Sequence, residues 1–283
     1  MRPYLIVTPN YFPHCTNGIK VMHRLSYLLN TKEQSSYVAC VDIDPMFPSL
    51  RLIPPAPNPD GTYPLIGKIR DVVQDGIVVY HGLLGDIFKA KHPVWYLLGH
   101  HPQFEGRNIF VHNGALLKSS IGIDRLLYIS TIELNLFNLE NIATRKYTTI
   151  WIGKGQVNQE FINSLPKDGL FLIKASLPAT RKEVADLFKQ SKVLYSFDSL
   201  SQVNSEARLC GCPVVFVPNI KANVAQLKNM CDGINGVALN TTPGEIKRAV
   251  DTVHLYPKDY MESIKDCDKM LDNFIQVSQE LAK

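Results

Sequence analysis

The stretch KVLYSFDSLSQVNSEARLCGCPVVFV, residues 192–217, places a polar, periodic middle between two apolar runs. KVLYSF is short and almost wholly apolar, as a strand buried on both faces must be. Ser201 suits an N-cap, and residues 202–210 suit a helix. Gly211 ends that helix and Pro213 prevents its continuation. PVVFV then opens a second buried strand. Strand, helix and strand in this order imply a parallel pair joined by a right-handed crossover. Two carboxylates flank the strand-to-helix turn: Asp198 just past the strand and Glu206 about one turn inside the helix.

The same rhythm runs outward from this unit. Upstream, TTIWIG leads to helix QEFINSL, and LFLIKA leads to helix TRKEVADLFKQS; downstream comes helix NVAQLKNM, residues 223–230. The first half begins with strand YLIV, loop TPNYFPHCTNG, helix IKVMHRLSYLLN and strand SYVACVDI. Val21, Leu25, Leu28 and Leu29 share one helical face. Residues 45–64 carry Pro45, Pro48, Pro54, Pro55, Pro57, Pro59 and Pro64, a run read as a surface loop. GIVVYH, PVWYLLG, NIFVH and RLLYIS continue as short buried strands. The fold class expected is α/β, with two Rossmann-like parallel-sheet domains and a cleft between them. The polar stretch NIATRKY sets the expected boundary between a first domain, 1–145, and a second, 146–283. Residues 257–282 form one long helical pattern with no strand after it, expected to pack back on the first domain.

Composition narrows the class. The 283 residues are 45% hydrophobic and 20% charged, the balance of a folded globular chain. A net charge of +4 and a pI of about 8.6 suit an anionic small ligand and are too weak to argue for nucleic acid alone. No run approaches the roughly 18 apolar residues of a membrane span. MRPYLIVTPN reads as a first strand and not as a signal peptide. Cys15, Cys40, Cys210, Cys212, Cys231 and Cys267 form no C-x-x-C pair, so reduced thiols, a cytoplasmic location and no structural zinc are expected.

In parallel sheets ligands sit at the carboxyl ends of strands. A helix start there attracts phosphate. A carboxylate in the same turn can accept from a ribose diol, and a second can accept from the hydroxyls of another sugar. Phosphate, ribose and hexose together describe a nucleotide sugar.

These residues carry a resemblance. D-x7-E followed by ARLCGCPVV resembles the E-x7-E signature of GT-B glycosyltransferases, in particular glycosyltransferase family 4. Asp198 stands at the first acidic position, where the family has Glu, and Glu206 at the second. Residues 8–30 are similar to the family's N-terminal glycine loop and first helix, with one glycine, Gly18, where many members have two. WIGKG resembles the strand end that supplies a cation to the donor diphosphate. The resemblance therefore implies Lys154 and Asp198 as catalytic residues. It implies Asn17, Gly18, Gly153, Ser201 and Glu206 as donor-binding residues. A second basic residue common in the family has no match in QVN; Arg181 and Lys182 are the other basic side chains for a diphosphate. The activity implied is sugar transfer from a nucleoside-diphosphate sugar, with retention and with no cofactor or bound metal.

Other features are weighed against this reading. GKGQVN falls short of G-x-G-x-x-G because Asn158 replaces the third glycine, and LFLIKA lacks a ribose-binding acid after it, which disfavours a dinucleotide dehydrogenase. His81 ends a strand and is the acceptor-side candidate; His100 and His101 lie in a loop. Asp42 and Asp44 form a D-x-D that reads as a turn before the proline-rich loop. The acceptor expected is a surface polysaccharide or its lipid-linked precursor. The alternatives are modified bases of phage DNA and a non-catalytic nucleotide-sugar binding subunit.

Overall fold

The computed structural model describes residues 1–10, 17–43, 50–53, 69–99, 108–117, 120–153, 155–174, 177–217 and 233–283. In chain order the elements are β1 (Tyr4–Pro9), α1 (Asn17–Thr31), β2 (Ser36–Ile43), β3 (Leu50–Ile53), α2 (Ile69–Asp75), β4 (Ile77–His81), β5 (Pro93–Leu97) and β6 (Ile109–Val111). There follow β7 (Tyr147–Trp151), α3 (Gln159–Ser164), β8 (Leu170–Ile173), α4 (Arg181–Lys189), β9 (Ser191–Ser196), α5 (Gln202–Leu209), β10 (Val214–Phe216) and β11 (Val237–Ala238). The chain continues with α6 (Pro243–Thr252), α7 (Tyr256–Lys265) and α8 (Cys267–Leu281). Two compact units result: residues 1–131 with 264–283, and residues 132–263.

The sheet of the first unit has the order β3-β2-β1-β4-β5-β6. Its strands are parallel except β3, which runs antiparallel to β2 at the edge. Period-two alternation divides its core. Tyr4 and Ile6 join Met22 and Leu25 of α1 on one face, while Leu5 and Val7 join Val72 of α2 on the other. The first face is completed by α8, which contributes Leu271 and Phe274. The rings of Phe110 and Phe274 meet edge-on with centroids 4.7 Å apart. The Tyr4 hydroxyl shares a hydrogen bond of 2.8 Å with Ser278. The Arg2 N–H donates to Gln279 Oε1, and Gln279 Nε2 donates to the Arg2 carbonyl.

The sheet of the second unit is parallel throughout, in the order β11-β10-β9-β7-β8. Thr180 and Glu183 close a reciprocal capping box on α4. Ser201 caps α5 by accepting from the Val203 N–H. Gly211, at φ +70°, turns the chain out of α5 in the left-handed region that favours glycine.

Several expectations change. The boundary falls at 131/132 and not at 145, while residues 264–283 return to the first unit as expected. The residues after 131 are anchored in the second unit, where Phe137 is fully buried under the Arg181 guanidinium and Lys189 donates to Asn138. The last helical segment is two helices, α7 and α8. RLLYIS is buried but irregular, and only Leu126 bridges to Val111. The proline-free residues between Pro48 and Pro54 admit the edge strand β3 within what reads as loop. The segment NVAQLKNM lies outside the described residues. Among the described residues no helix is long and apolar enough to cross a membrane.

Candidate functional sites at the two switch points

Each sheet contains a point where the strand order reverses. In the first unit it lies between β1 and β4, because β1 continues to β2 on one side and β4 lies on the other. In the second unit it lies between β7 and β9. Loops diverge at such a point and leave a crevice at the carboxyl ends of the strands.

At the first switch point Asn17 and Gly18 begin α1 and His81 ends β4. A Cβ on Gly18 would lie 3.1 Å from His81 Nε2 and 3.4 Å from Leu98. The glycine thus lets the helix start approach the imidazole. His81 is only 4% exposed, and its Nδ1 accepts from the Leu83 N–H at 3.1 Å. In the neutral ring that bond leaves the proton on Nε2, the nitrogen turned toward Gly18.

At the second switch point the loop after β7 folds against the loop after β9. Gly153 has φ +55°, and a Cβ there would lie 2.5 Å from Asp198 Oδ2 and 2.7 Å from Trp151 Nε1. A Cβ on Gly155 would lie 1.7 Å from the Phe197 carbonyl oxygen. Gly153, Asp198 and the N-cap Ser201 are therefore gathered in one place, as their sequence positions imply. Lys154 lies outside the described residues. Asp198 also holds its own turn: Oδ1 accepts from the Leu200 N–H at 3.2 Å, and its carbonyl accepts from Asn204 Nδ2 at 2.7 Å. The buried indole N–H of Trp151 has no hydrogen-bond partner among the described residues.

Glu206 is fully buried on α5. Its Oε1 accepts from Arg181 Nη2, and from Gln202 Nε2 at 2.7 Å. Its Oε2 is buried with no hydrogen-bond partner among the described residues. An orphaned carboxylate oxygen costs more than an orphaned neutral acceptor, so this atom is where a ligand donor gains most. Arg181 is held in turn by Glu133, with Nε 3.8 Å from Oε1, and by the ring of Phe137, 4.6 Å from Cζ. Lys182 pairs with Asp186 at 2.6 Å on the surface. Neither basic residue is thus a loose cation awaiting a diphosphate.

The partnership of Arg181 with Glu206 is missed by sequence reasoning. One signal for it exists. Arg181 follows the capping Thr180 and so stands at the positive end of α4, where a cation is disfavoured unless an acid holds it.

Other sequence features stay apart from these sites. Asp42 sits in β2 opposite Arg51 of β3, while Asp44, His100 and His101 lie outside the described residues. No group of three His, Cys, Asp or Glu side chains among the described residues is placed to hold a metal ion. Cys40, Cys210, Cys212 and Cys267 are thiols outside any disulfide. Burial pushes the Cys210 thiol up to about 12 and raises Cys212 further. A shallow groove lined by Tyr147, Phe171, Leu177 and Gln190 lies toward the amino end of β7, away from the switch point.

No protein-family model matches the sequence, and no curated protein matches it. Solved structures do. A glycosyltransferase from Rickettsia africae ESF-5 aligns over 100% of this chain and 99% of its own, with a TM-score of 0.53 and 9% identity. CalG4, the calicheamicin glycosyltransferase, aligns over 98% and 100%, with a TM-score of 0.47 and 11% identity. An alpha-glucosyltransferase in complex with UDP and a 13-mer DNA containing a central A:G mismatch aligns over 99% and 100%, with a TM-score of 0.46 and 10% identity. The fold is the α/β GT-B fold, built from two Rossmann-like units.

Proposed function

We propose that this protein is a glycosyltransferase that moves a sugar from a nucleoside-diphosphate sugar to an acceptor, with retention and without a bound metal. The observation that carries the reading is the meeting of Gly153, Asp198 and Ser201 at the β7/β9 switch point of a GT-B fold, with Glu206 on the helix that Ser201 caps. The capped start of α5 offers N–H groups and a positive dipole end to phosphate. Glu206 offers an unpaired oxygen to a ribose hydroxyl. Asp198 orients the transferred sugar, and Lys154 balances charge as the diphosphate departs. Such a site acts by positioning and by electrostatics, and its worth is greatest where charge develops. At the β1/β4 switch point of the first unit, Asn17 and Gly18 are donor-side residues and His81 is the acceptor-side residue.

The test is release of nucleoside diphosphate from UDP-, GDP- and ADP-linked sugars with glycan, lipid-linked glycan or duplex DNA as acceptor. At least one donor turns over, and chelator leaves the rate intact. Glu206→Ala weakens donor binding by about tenfold or more, from the loss of a charge-assisted hydrogen bond. Lys154→Ala lowers turnover on the order of 100-fold while changing donor affinity less. Binding without turnover would make the chain a nucleotide-sugar binding subunit. Neither binding nor turnover with any donor would refute the reading.

A further inference from the structure

A carboxylate offers about four lone-pair sites, two on each oxygen. In Glu206 those of Oε1 are filled by Arg181 Nη2 and Gln202 Nε2, whereas Oε2 has no partner among the described residues. This division is built in. Arg181 is fixed by Glu133 on one side and by the Phe137 ring on the other. Gln202 lies one helical turn before Glu206 on the same helix, so its reach is set by the backbone. Glu206 itself is fully buried and cannot turn to exchange its oxygens without breaking both bonds.

A ribose diol gripped by a carboxylate ordinarily donates one hydroxyl to each oxygen. Here one oxygen is full. The two vicinal hydroxyls subtend a narrow angle at any single acceptor atom, far from the wide separation of its lone pairs, so Oε2 can take one well-directed bond. We propose that Arg181 is a positioning residue that fills Oε1 of Glu206 and so makes the site read a ribonucleoside diphosphate through one ribose hydroxyl. The other hydroxyl is left without a carboxylate contact. This rests on the reading of Glu206 as the ribose contact.

The experiment is calorimetric titration of the wild-type protein with UDP, GDP and ADP. The tightest binder is then compared with its 2′-deoxy and 3′-deoxy analogues. One analogue binds about tenfold or more weakly, and the other stays within about twofold of the parent. Arg181→Met frees one of the two positions on Oε1 while Gln202 keeps the other, and the two analogues converge to within about threefold of each other. Arg181→Lys keeps part of the asymmetry, since the charge remains and the planar fork is lost. A purely structural Arg181 would lower the thermal midpoint and leave the ratio of the analogues unchanged. Equal losses for both analogues in the wild type, loss for neither, or an unchanged ratio in folded Arg181→Met would each sink the proposal while leaving glycosyl transfer standing. If Arg181→Met does not fold, the wild-type ratio and Arg181→Lys decide. Failure of all three nucleotides to bind would overturn the function proposed above together with this inference.

Discussion

Gly155 and Phe197 touch so closely that any side chain at residue 155 would enter a carbonyl oxygen. The two glycines around Lys154 are legible in the sequence as a loop that can approach a ligand. Their partner is the neighbouring strand end, and no local pattern names it, because the contact exists only once β7 and β9 lie side by side. Asp198 and Glu206 are legible by spacing, but the pairing of Glu206 with Arg181 joins separate helices and is not. His23 carries a consequence of burial that can be measured. It is 5% exposed, with Nε2 3.7 Å from Cys40 Sγ, and burial pushes its pKa down to about 4. His112, after β6, is likewise pushed down to about 4 by burial. An unfolded histidine titrates near 6.5. Between about 4 and 6.5 the unfolded chain binds more protons than the folded one, so the stability present above that window is lost as pH falls through it. Each histidine contributes at most about 1.4 kcal/mol per pH unit. Thermal midpoints measured from pH 7 to pH 4 should therefore fall less steeply for His23→Gln than for the wild type. Parallel profiles would show that His23 is not a source of the acid sensitivity.

The elements themselves follow from continuous apolar runs, and β1, β2, β4, β7, β9 and β10 stand where such runs predict them. RLLYIS has the same composition and forms no strand, because an apolar run says that a segment is buried and not that a sheet edge is free to receive it. NIATRKY, which reads as a linker, contains the residue that fastens the second unit's elements together. Arg145 Nη1 donates to the carbonyls of Ser191 at 2.6 Å and Phe188 at 3.3 Å, and Nη2 donates to Cys210 at 3.2 Å. One guanidinium thus satisfies carbonyls at the ends of α4 and α5, where the helix dipoles favour a cation. A Cβ on Gly211 would come within 2.7 Å of the same guanidinium. Arg145→Met leaves these carbonyls without their donor and should cost about 2–3 kcal/mol. The midpoint of urea unfolding should shift down with little change in slope. Arg145→Lys should recover only part, and a midpoint like that of the wild type would remove the clamp from the account.

Over the whole molecule, the doubled rhythm of strands and helices makes two α/β units legible, while the boundary at 131/132 is not. The last helical segment, with no strand after it, is read as packing back on the first domain, and its contacts with Tyr4 and Phe110 seat it there. Phe274 is fully buried in this contact. Phe274→Ala should destabilise the first unit by about 3–5 kcal/mol. Hydrogen exchange should speed up in β1, β4 and β6 and stay unchanged in β7, β9 and β10; uniform acceleration in both sheets would mean that the two units unfold as one. The placement of α8 also orders events on the ribosome. Residues 132–263 leave the exit tunnel as an uninterrupted unit, whereas the face formed by Tyr4, Ile6 and Phe110 waits for residues 264–283 to emerge. Until then the part of that face not covered by α1 is an apolar surface open to chaperones and to self-association. The half of the protein that is translated first is the half that is completed last.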